Sequence, residues 1–374
     1  MKKKILILFI LLNTSLVLSQ TFNYNGINYA VTDTVNFYVK VGSNSSFNGV
    51  ATIPETVSYN FQNYTVTEIG YEAFRNCTGL TSFTIPNSIT NIEGYAFYNC
   101  SGLTSITIPN SVTVIGNASF FGCTGLTSLS IPSSVTTIDD LAFCACTGLT
   151  SLSIPSPSTF INYQAFSGCT GLTSLNLTSP IGIAAFYQCT NLVSVTINTN
   201  GFIGTNAFYQ CTALTTLTIT SAYGIGDNAF SGCSSLNTVN CYITTPLSIS
   251  YNVFSGVNVT SCTLNVPLGS ETAYEATSVW TDFNPINGNL LATDNFVIKD
   301  NIQLYPNPTK NELFIDMKNL TNTQLEVMDI TGKVIFNEYL NSNSTIDTSN
   351  LKNGIYLFKL TSDNGSVITK VVKN

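Results

Sequence analysis

The sequence predicts a repeat solenoid built on a parallel β-sheet, followed by a small all-β domain. Three observations predict it. The string AFxxCxxLxxxxIP recurs along the chain with its Phe at positions 74, 97, 120, 143, 166, 186, 208, 230 and 254. The spacings are 23, 23, 23, 23, 20, 22, 22 and 24, a period that marks stacked supersecondary units. After Pro285 the composition changes, Lys returns from Lys299 onward, and short alternating runs separated by turn residues follow.

The N-terminus carries Lys2, Lys3 and Lys4, an apolar run from Ile5 to Leu12, and Ser19 with Val17 two positions before it. This reads as a secretory signal peptide over 1–19, cut before Gln20. The apolar run is shorter than the ~20 residues of a spanning helix, so no transmembrane segment is expected in the mature chain. Removal of the three Lys takes the formal charge from -7 to -10. From Ile53 to Asn284 the one basic residue is Arg75. Nucleic acid and anionic lipid are therefore excluded as partners of the repeats.

The segment 20–65 shows short alternating runs, such as Asn28 to Val31 and Asn36 to Val41, and reads as a β-hairpin cap. Repeats fill 66–262. Their period lies within the roughly 20–29 residues of leucine-rich repeats, so the expected architecture is a leucine-rich-repeat horseshoe with a parallel β-sheet. In the unit around Leu80, the residues Leu80, Phe83 and Ile85 follow the strand pattern of such repeats, and Pro86 ends the strand. Alternation turns Phe83 and Ile85 inward and leaves Ser82 and Thr84 outside. Cys77, Cys100, Cys123, Cys146, Cys169, Cys189, Cys211 and Cys233 each follow the repeat Phe by three residues. Side chains at one position of a stack run parallel about one coil apart, whereas a disulfide needs converging Cβ atoms ~3.8 Å apart. They are expected to be buried free thiols, weak donors to loop carbonyls. Cys144, Cys241 and Cys262 are out of register, and a bridge between the last two stays open.

These units resemble the BspA-like, or treponemal-type, leucine-rich repeats of bacterial surface proteins, densely so over about Ile69 to Leu236. The pattern weakens where Thr178, Asn198 and Thr220 replace the strand-ending Pro. The resemblance implies an adhesin. A cap over 263–285 is expected to place a short helix from Glu271 to Ala276, N-capped by Ser270, with Tyr274, Trp280 and Phe283 over the last coil. Trp280 as a sugar-stacking platform is the alternative. A polar linker is read over 286–300.

Runs at Ile302 to Tyr305, Glu312 to Asp316, Gln324 to Met328, Val334 to Tyr339, Gly354 to Thr361 and Ser366 to Val372 predict a small all-β, Ig-like sandwich over 301–374. Tyr305, Pro306, Asn307 and Pro308, the turn ending in Gly332 and Lys333, the segment LKNGIYLFKL with Gly354 and Tyr356, and the terminal KVVK resemble the type A sorting domain of the bacterial type IX secretion system. By that resemblance the domain is read by an outer-membrane translocon, and the cargo ends secreted or on the outer cell surface.

The chain has no His, which removes His-based acid–base chemistry, catalytic triads and most zinc sites. Paired carboxylates are the remaining route, and Glu93, Asp139, Asp140 and Asp227 read as loop acids. No enzyme activity, cofactor or metal is expected. The candidate ligand-binding residues lie on the concave strand face: Ser82, Thr84, Ser105, Thr107, Ser128, Ser130, Ser151 and Ser153. An extracellular protein or glycan is the expected ligand. A matrix-glycan module is the alternative, and an ice-binding hydroxyl array is a further one, weakened because Ser130, Ser153 and Asn176 interrupt the Thr row.

Overall fold

The computed structural model describes residues 20–290, 302–317, 323–329, 333–362 and 365–374. The signal-peptide reading of 1–19, the linker positions 291–300 and the motif residue Gly332 lie outside them. The chain divides into two compact units, one holding the residues up to Thr215 with Ala222–Ser235 and Ser250–Val257, the other Thr216–Ser221, Leu236–Ile249 and Asn258–Asn374.

In the first unit, Thr21–Tyr24, Ile27–Asp33 and Tyr38–Val41 pair antiparallel in succession. Tyr38–Val41 then joins Gln62–Ile69 in parallel, and Thr56–Tyr59 folds back on that strand as a hairpin. Stacked parallel coils follow. One side of each coil is a two-residue strand ending in a buried Ile: Asn91–Ile92, Val114–Ile115, Thr137–Ile138 and Phe160–Ile161, continued by bridges through Ile181 and Ile203. On another side run the LxSxT strands. They are hydrogen-bonded in pieces: Gly49–Thr52 with Leu80–Thr84 and Ser105–Thr107, Ser128–Ser130 with Ser151–Ser153, and Ser174–Leu177 with Ser194–Asn198.

Registry between coils is held most tightly in the AFxxC loops. The N–H groups of Tyr95, Phe97 and Asn99 donate to the carbonyls of Asn117, Ser119 and Phe121 in the next coil at 2.8, 2.6 and 2.7 Å. The alternate N–H groups of Tyr98 and Cys100 bond within the loop at 3.1 Å each. This alternation needs left-handed backbone two residues either side of the Phe, at Tyr95 (φ 58°) and Asn99 (φ 57°), and again at Leu141 (φ 59°) and Ala145 (φ 58°). Each costs of order 1 kcal/mol or more, offset by the bonds it enables.

The repeat Phe rings stack from Phe74 to Phe254 with centroids 5.0 to 5.7 Å apart. Burial of each ring contributes roughly 1.5–3 kcal/mol, and each aromatic pair adds about 0.5–1.5 kcal/mol. The coils can approach because the loop leading into the strand carries Gly: a Cβ at Gly102 would lie 2.3 Å from the Thr78 carbonyl oxygen, and one at Gly148 would lie 2.2 Å from that of Thr124.

The cysteines behave as their register requires. Cys100, Cys123 and Cys146 donate their thiols to the carbonyls of Phe74, Phe97 and Phe120 at 3.0, 3.1 and 3.2 Å, and the pattern continues to Cys233 on Phe208. All are free, Cys241 and Cys262 included. Burial pushes Cys100, Cys146 and Cys233 up to about 12.

In the second unit, Thr216–Ser221, Thr238–Cys241, Thr263–Pro267 and Ile286–Leu290 form a parallel ladder. The last strand corrects the linker reading, whose first five residues are sheet. Its polar sequence is held by amides, Asn287 and Asn289 each donating to the Asn265 side chain at 3.4 and 3.1 Å. The helix spans Glu271–Glu275, and Ser270 stands at its N-cap with αR backbone and no capping bond from its hydroxyl. An αR residue does not aim its side chain at the first-turn N–H groups as a β-region cap does. The C-terminal strands form two antiparallel sheets, Ile302–Tyr305 with Glu312–Met317 and Ser344–Asp347, and Val334–Leu340 with Thr323–Asp329, Gly354–Ser362 and Gly365–Lys373. Leu313 and Ile315 of the first sheet share a core with Leu325, Val327, Phe358 and Leu360 of the second.

Alkylation followed by mass spectrometry checks the thiol stack. All eleven cysteines should label after denaturation, and in the native protein only half-buried Cys144 should react readily. A Cys77–Cys100 bridge would contradict the stacking.

Candidate functional site

The strand face places the expected residues in two rows. Ser82 is the register partner of Ser105 and Thr84 of Thr107, while Ser128 pairs Ser151 and Ser130 pairs Ser153. All are exposed except half-buried Ser82. Among the described residues, none of these eight side chains makes a hydrogen bond within the chain. Other hydroxyl columns differ: Thr104 and Thr150 donate to the carbonyls of Thr81 and Thr127 in the preceding coil at 3.3 and 3.0 Å, and Thr113 does so to Thr90 at 3.3 Å.

A concavity of about 460 Å³ lies on these rows, lined by Ile106, Thr107, Ser128, Ser130, Ser151 and Ser153 among others, none of them charged. It spans the break between the strands Ser105–Thr107 and Ser128–Ser130. Half-buried Ile106 and Leu152 show that the apolar floor is partly open to solvent there. The arrangement offers free donors and acceptors over an apolar base, the composition of a contact site without charge. In the second unit the residues at the equivalent repeat position satisfy one another: Asn240 donates to Thr218 Oγ1 at 3.4 Å and Asn265 to Asn240 Oδ1 at 2.8 Å.

The loop acids are engaged in the structure. Asp139 accepts from Asn162 Nδ2 and Asp140 from the Tyr163 N–H, each at 3.1 Å. Glu93 pairs with Lys40 at 3.0 Å and accepts the Tyr71 N–H at 2.6 Å. The structure also brings Glu68 to Glu93, a carboxyl pair that sequence spacing did not reveal. Burial, then the hydrogen bond with Glu93 and its charge, push the Glu68 carboxyl up, and Lys40 pulls it down. Trp280 is fully buried and donates Nε1–H to the Leu247 carbonyl at 2.8 Å. That overturns the sugar-platform alternative, because an indole with both faces packed presents none to a ligand.

In the C-terminal strands, Asn307 clamps the last strand: its Nδ2 donates to the Lys370 carbonyl at 2.8 Å and its Oδ1 accepts the Val372 N–H at 2.9 Å. Pro306 and Pro308 flank it, and exposed Tyr305 packs against Phe314 at 5.1 Å. Lys333 closes its turn through bonds with Asp329 at 3.0 and 3.2 Å. Gly354 opens the strand that carries buried Tyr356, whose hydroxyl donates to the Lys352 carbonyl at 2.9 Å.

Comparison with known proteins matches residues 45–173 and 172–274 to the BspA type leucine rich repeat region, in six copies. Residues 303–374 match a secretion system C-terminal sorting domain. Similar solved structures include a leucine rich cell surface protein of Faecalibacterium prausnitzii A2-165, 21% identical over 72% of this chain and 94% of that one, with a TM-score of 0.41. Others are a leucine-rich repeat protein of Bacteroides ovatus, 23% identical over 71% and 97% with a TM-score of 0.35, and one of T. pallidum, 20% identical over 58% and 91% with a TM-score of 0.43. No curated protein matches the chain.

Asn307→Ala removes both bonds to the terminal strand and should destabilise the C-terminal strands by about 1–2 kcal/mol. Hydrogen exchange of the amides of residues 365–373, compared with the unsubstituted protein, measures this; unchanged protection would show the clamp to be redundant.

Proposed function

The chain belongs to the BspA type leucine-rich repeat family and ends in a secretion-system sorting domain that directs it to the cell surface or the extracellular space, and from this premise we propose that it is a non-enzymatic adhesion protein whose strand face binds an extracellular protein or glycan. The observation that carries the reading is the pair of rows from Ser82 to Ser153, hydroxyls that are exposed in all but half-buried Ser82 and have no hydrogen-bond partner among the described residues, set on stacked coils. Rigid presentation lowers the ordering entropy that opposes contact. Uncharged groups make the contact weakly dependent on salt. The type IX translocon is the proposed partner of the C-terminal strands. No helix among the described residues is long and apolar enough to cross a membrane.

The family resemblance favours adhesion over a hydroxyl array for ice, and the broken ladder along the rows supports the same choice, since an ice face requires unbroken regularity. Replacing Thr84, Thr107, Ser130 and Ser153 together with Lys should abolish adhesion of the secreted protein to arrayed extracellular proteins and glycans, with circular dichroism unchanged. Full binding by that variant, with loss on Asp139→Ala plus Asp140→Ala, would move the site to the loops. Deletion of residues 301–374 should retain the chain in the periplasm, and surface display of the truncated form would refute the proposed route.

A further inference from the structure

A second surface of the coils, apart from the strand face, carries exposed rings. In the column preceding the buried Ile of each short strand, Asn91, Val114 and Thr137 of the early coils give way to Phe160, Pro180 and Phe202, placed by the register Thr137↔Phe160 and the bridges Ile161↔Ile181 and Ile181↔Ile203. Tyr223 lies beside this column, its N–H bonded to the Gly201 carbonyl at 2.9 Å. Two residues beyond the buried Ile, Tyr163 and Ile183 stand where Gly94, Asn117 and Asp140 stand in earlier coils. Phe160, Phe202 and Tyr223 are 58%, 63% and 67% exposed, and Tyr163 and Ile183 are 45% and 52% exposed. Single exposed apolar residues are ordinary, but five on adjacent coils mark a contact surface.

The backbone is cut to fit these rings. A Cβ at Gly224 would lie 2.6 Å from the Phe202 ring, and one at Gly201 would lie 2.8 Å from the Pro180 ring. Phe202 therefore lies across the next coil at the surface.

We propose that this face binds a neutral, extended polysaccharide by stacking the C–H faces of its sugars on these rings. The backbones of Phe160 and Phe202 stand two coils apart in one column, about 10 Å at ~4.8 Å per coil. That backbone spacing is of the order of the disaccharide advance of an extended β-linked chain, whose sugars of one orientation recur at that interval. Asn200, Asp140 and Asp227 on the same coils are exposed, Asp140 accepts the Tyr163 N–H at 3.1 Å, and the three supply amide and carboxylate groups for sugar hydroxyls. No Lys or Arg lies between Arg75 and Lys299, so an anionic glycan or acidic peptide finds no counter-charge. Five side chains also fall short of the roughly 20–30 residues a side that a stable protein interface uses.

The test is affinity electrophoresis of the full secreted protein in gels containing hydroxyethyl cellulose, with dextran sulfate as the anionic control. Retardation is expected in the neutral polymer and not in the anionic one. Phe160→Ser, Phe202→Ser and Tyr223→Ser combined should weaken it about tenfold or more, and Gly224→Ala, which displaces one ring, should weaken it less. The strand-face Lys variant should be retarded like the unsubstituted protein, which separates this site from the adhesion rows. The proposal is overturned if the unsubstituted protein migrates freely in hydroxyethyl cellulose, or if the triple variant is retarded equally. It is overturned too if the rings prove to be needed for self-association or a protein ligand in place of the glycan.

Discussion

The fold depends on how one residue per coil is fixed from both neighbours. Phe97 donates its N–H to the Ser119 carbonyl of the next coil at 2.6 Å, and its own carbonyl accepts the Cys123 thiol of that coil at 3.1 Å. Its ring is held between Phe74 and Phe120. That carbonyl already accepts the Cys100 N–H of its own loop at 3.1 Å, and its second lone pair, buried in the same way in every coil, calls for a further donor. The Cys thiol answers it with a side chain small and apolar enough to sit in the core.

Because the loops hold the coils in register, the strand face is free to vary. The step from Phe166 to Phe186 is three residues shorter than those before it, yet Ile161, Ile181 and Ile203 still bridge in line. The change in length is absorbed where Pro is lost at Thr178, between fixed points. The same freedom lets the ladder lapse between Ser105–Thr107 and Ser128–Ser130 without disturbing the ring stack. Surface positions then diverge coil by coil: hydroxyls on the strand face of the early coils, amides on that of the late ones, rings on the other side in the middle.

Much of this was legible in the sequence. A position that recurs once per period must stack on itself, so the parallel thiols, the buried rings and the outward Ser and Thr followed from spacing alone. Left-handed backbone beside each Phe escapes the spacing argument, although Asn76, Asn99, Gly122, Gly168 and Gly232 signal it two residues after the ring; Ala145, Gln188 and Gln210 at that position, and Tyr95 and Leu141 two residues before the ring, conceal it. The strand Ile286–Leu290 has no apolar alternation because amides, not burial, hold it. The pairing of Glu68 with Glu93 joins the hairpin region to a coil through the long Lys40 side chain, a contact without periodicity.

The same loop stack bears on chemistry outside the cell. Exported proteins meet oxidising conditions that commonly join cysteines into disulfides, and attack requires a thiolate that an oxidant can reach. Here each ladder thiol is buried with its proton directed to a carbonyl, and burial raises Cys123, Cys169 and Cys211 well above the usual thiol range. Neither the charge nor the approach is available, and parallel neighbours cannot converge to bridge. Ser in their place would bury a stronger donor but a less apolar group, and Ala would leave the Phe carbonyl with one partner fewer. Cysteine is thus used in this chain for its size and weak polarity, and the geometry that makes it useful to the core is also what keeps it reduced.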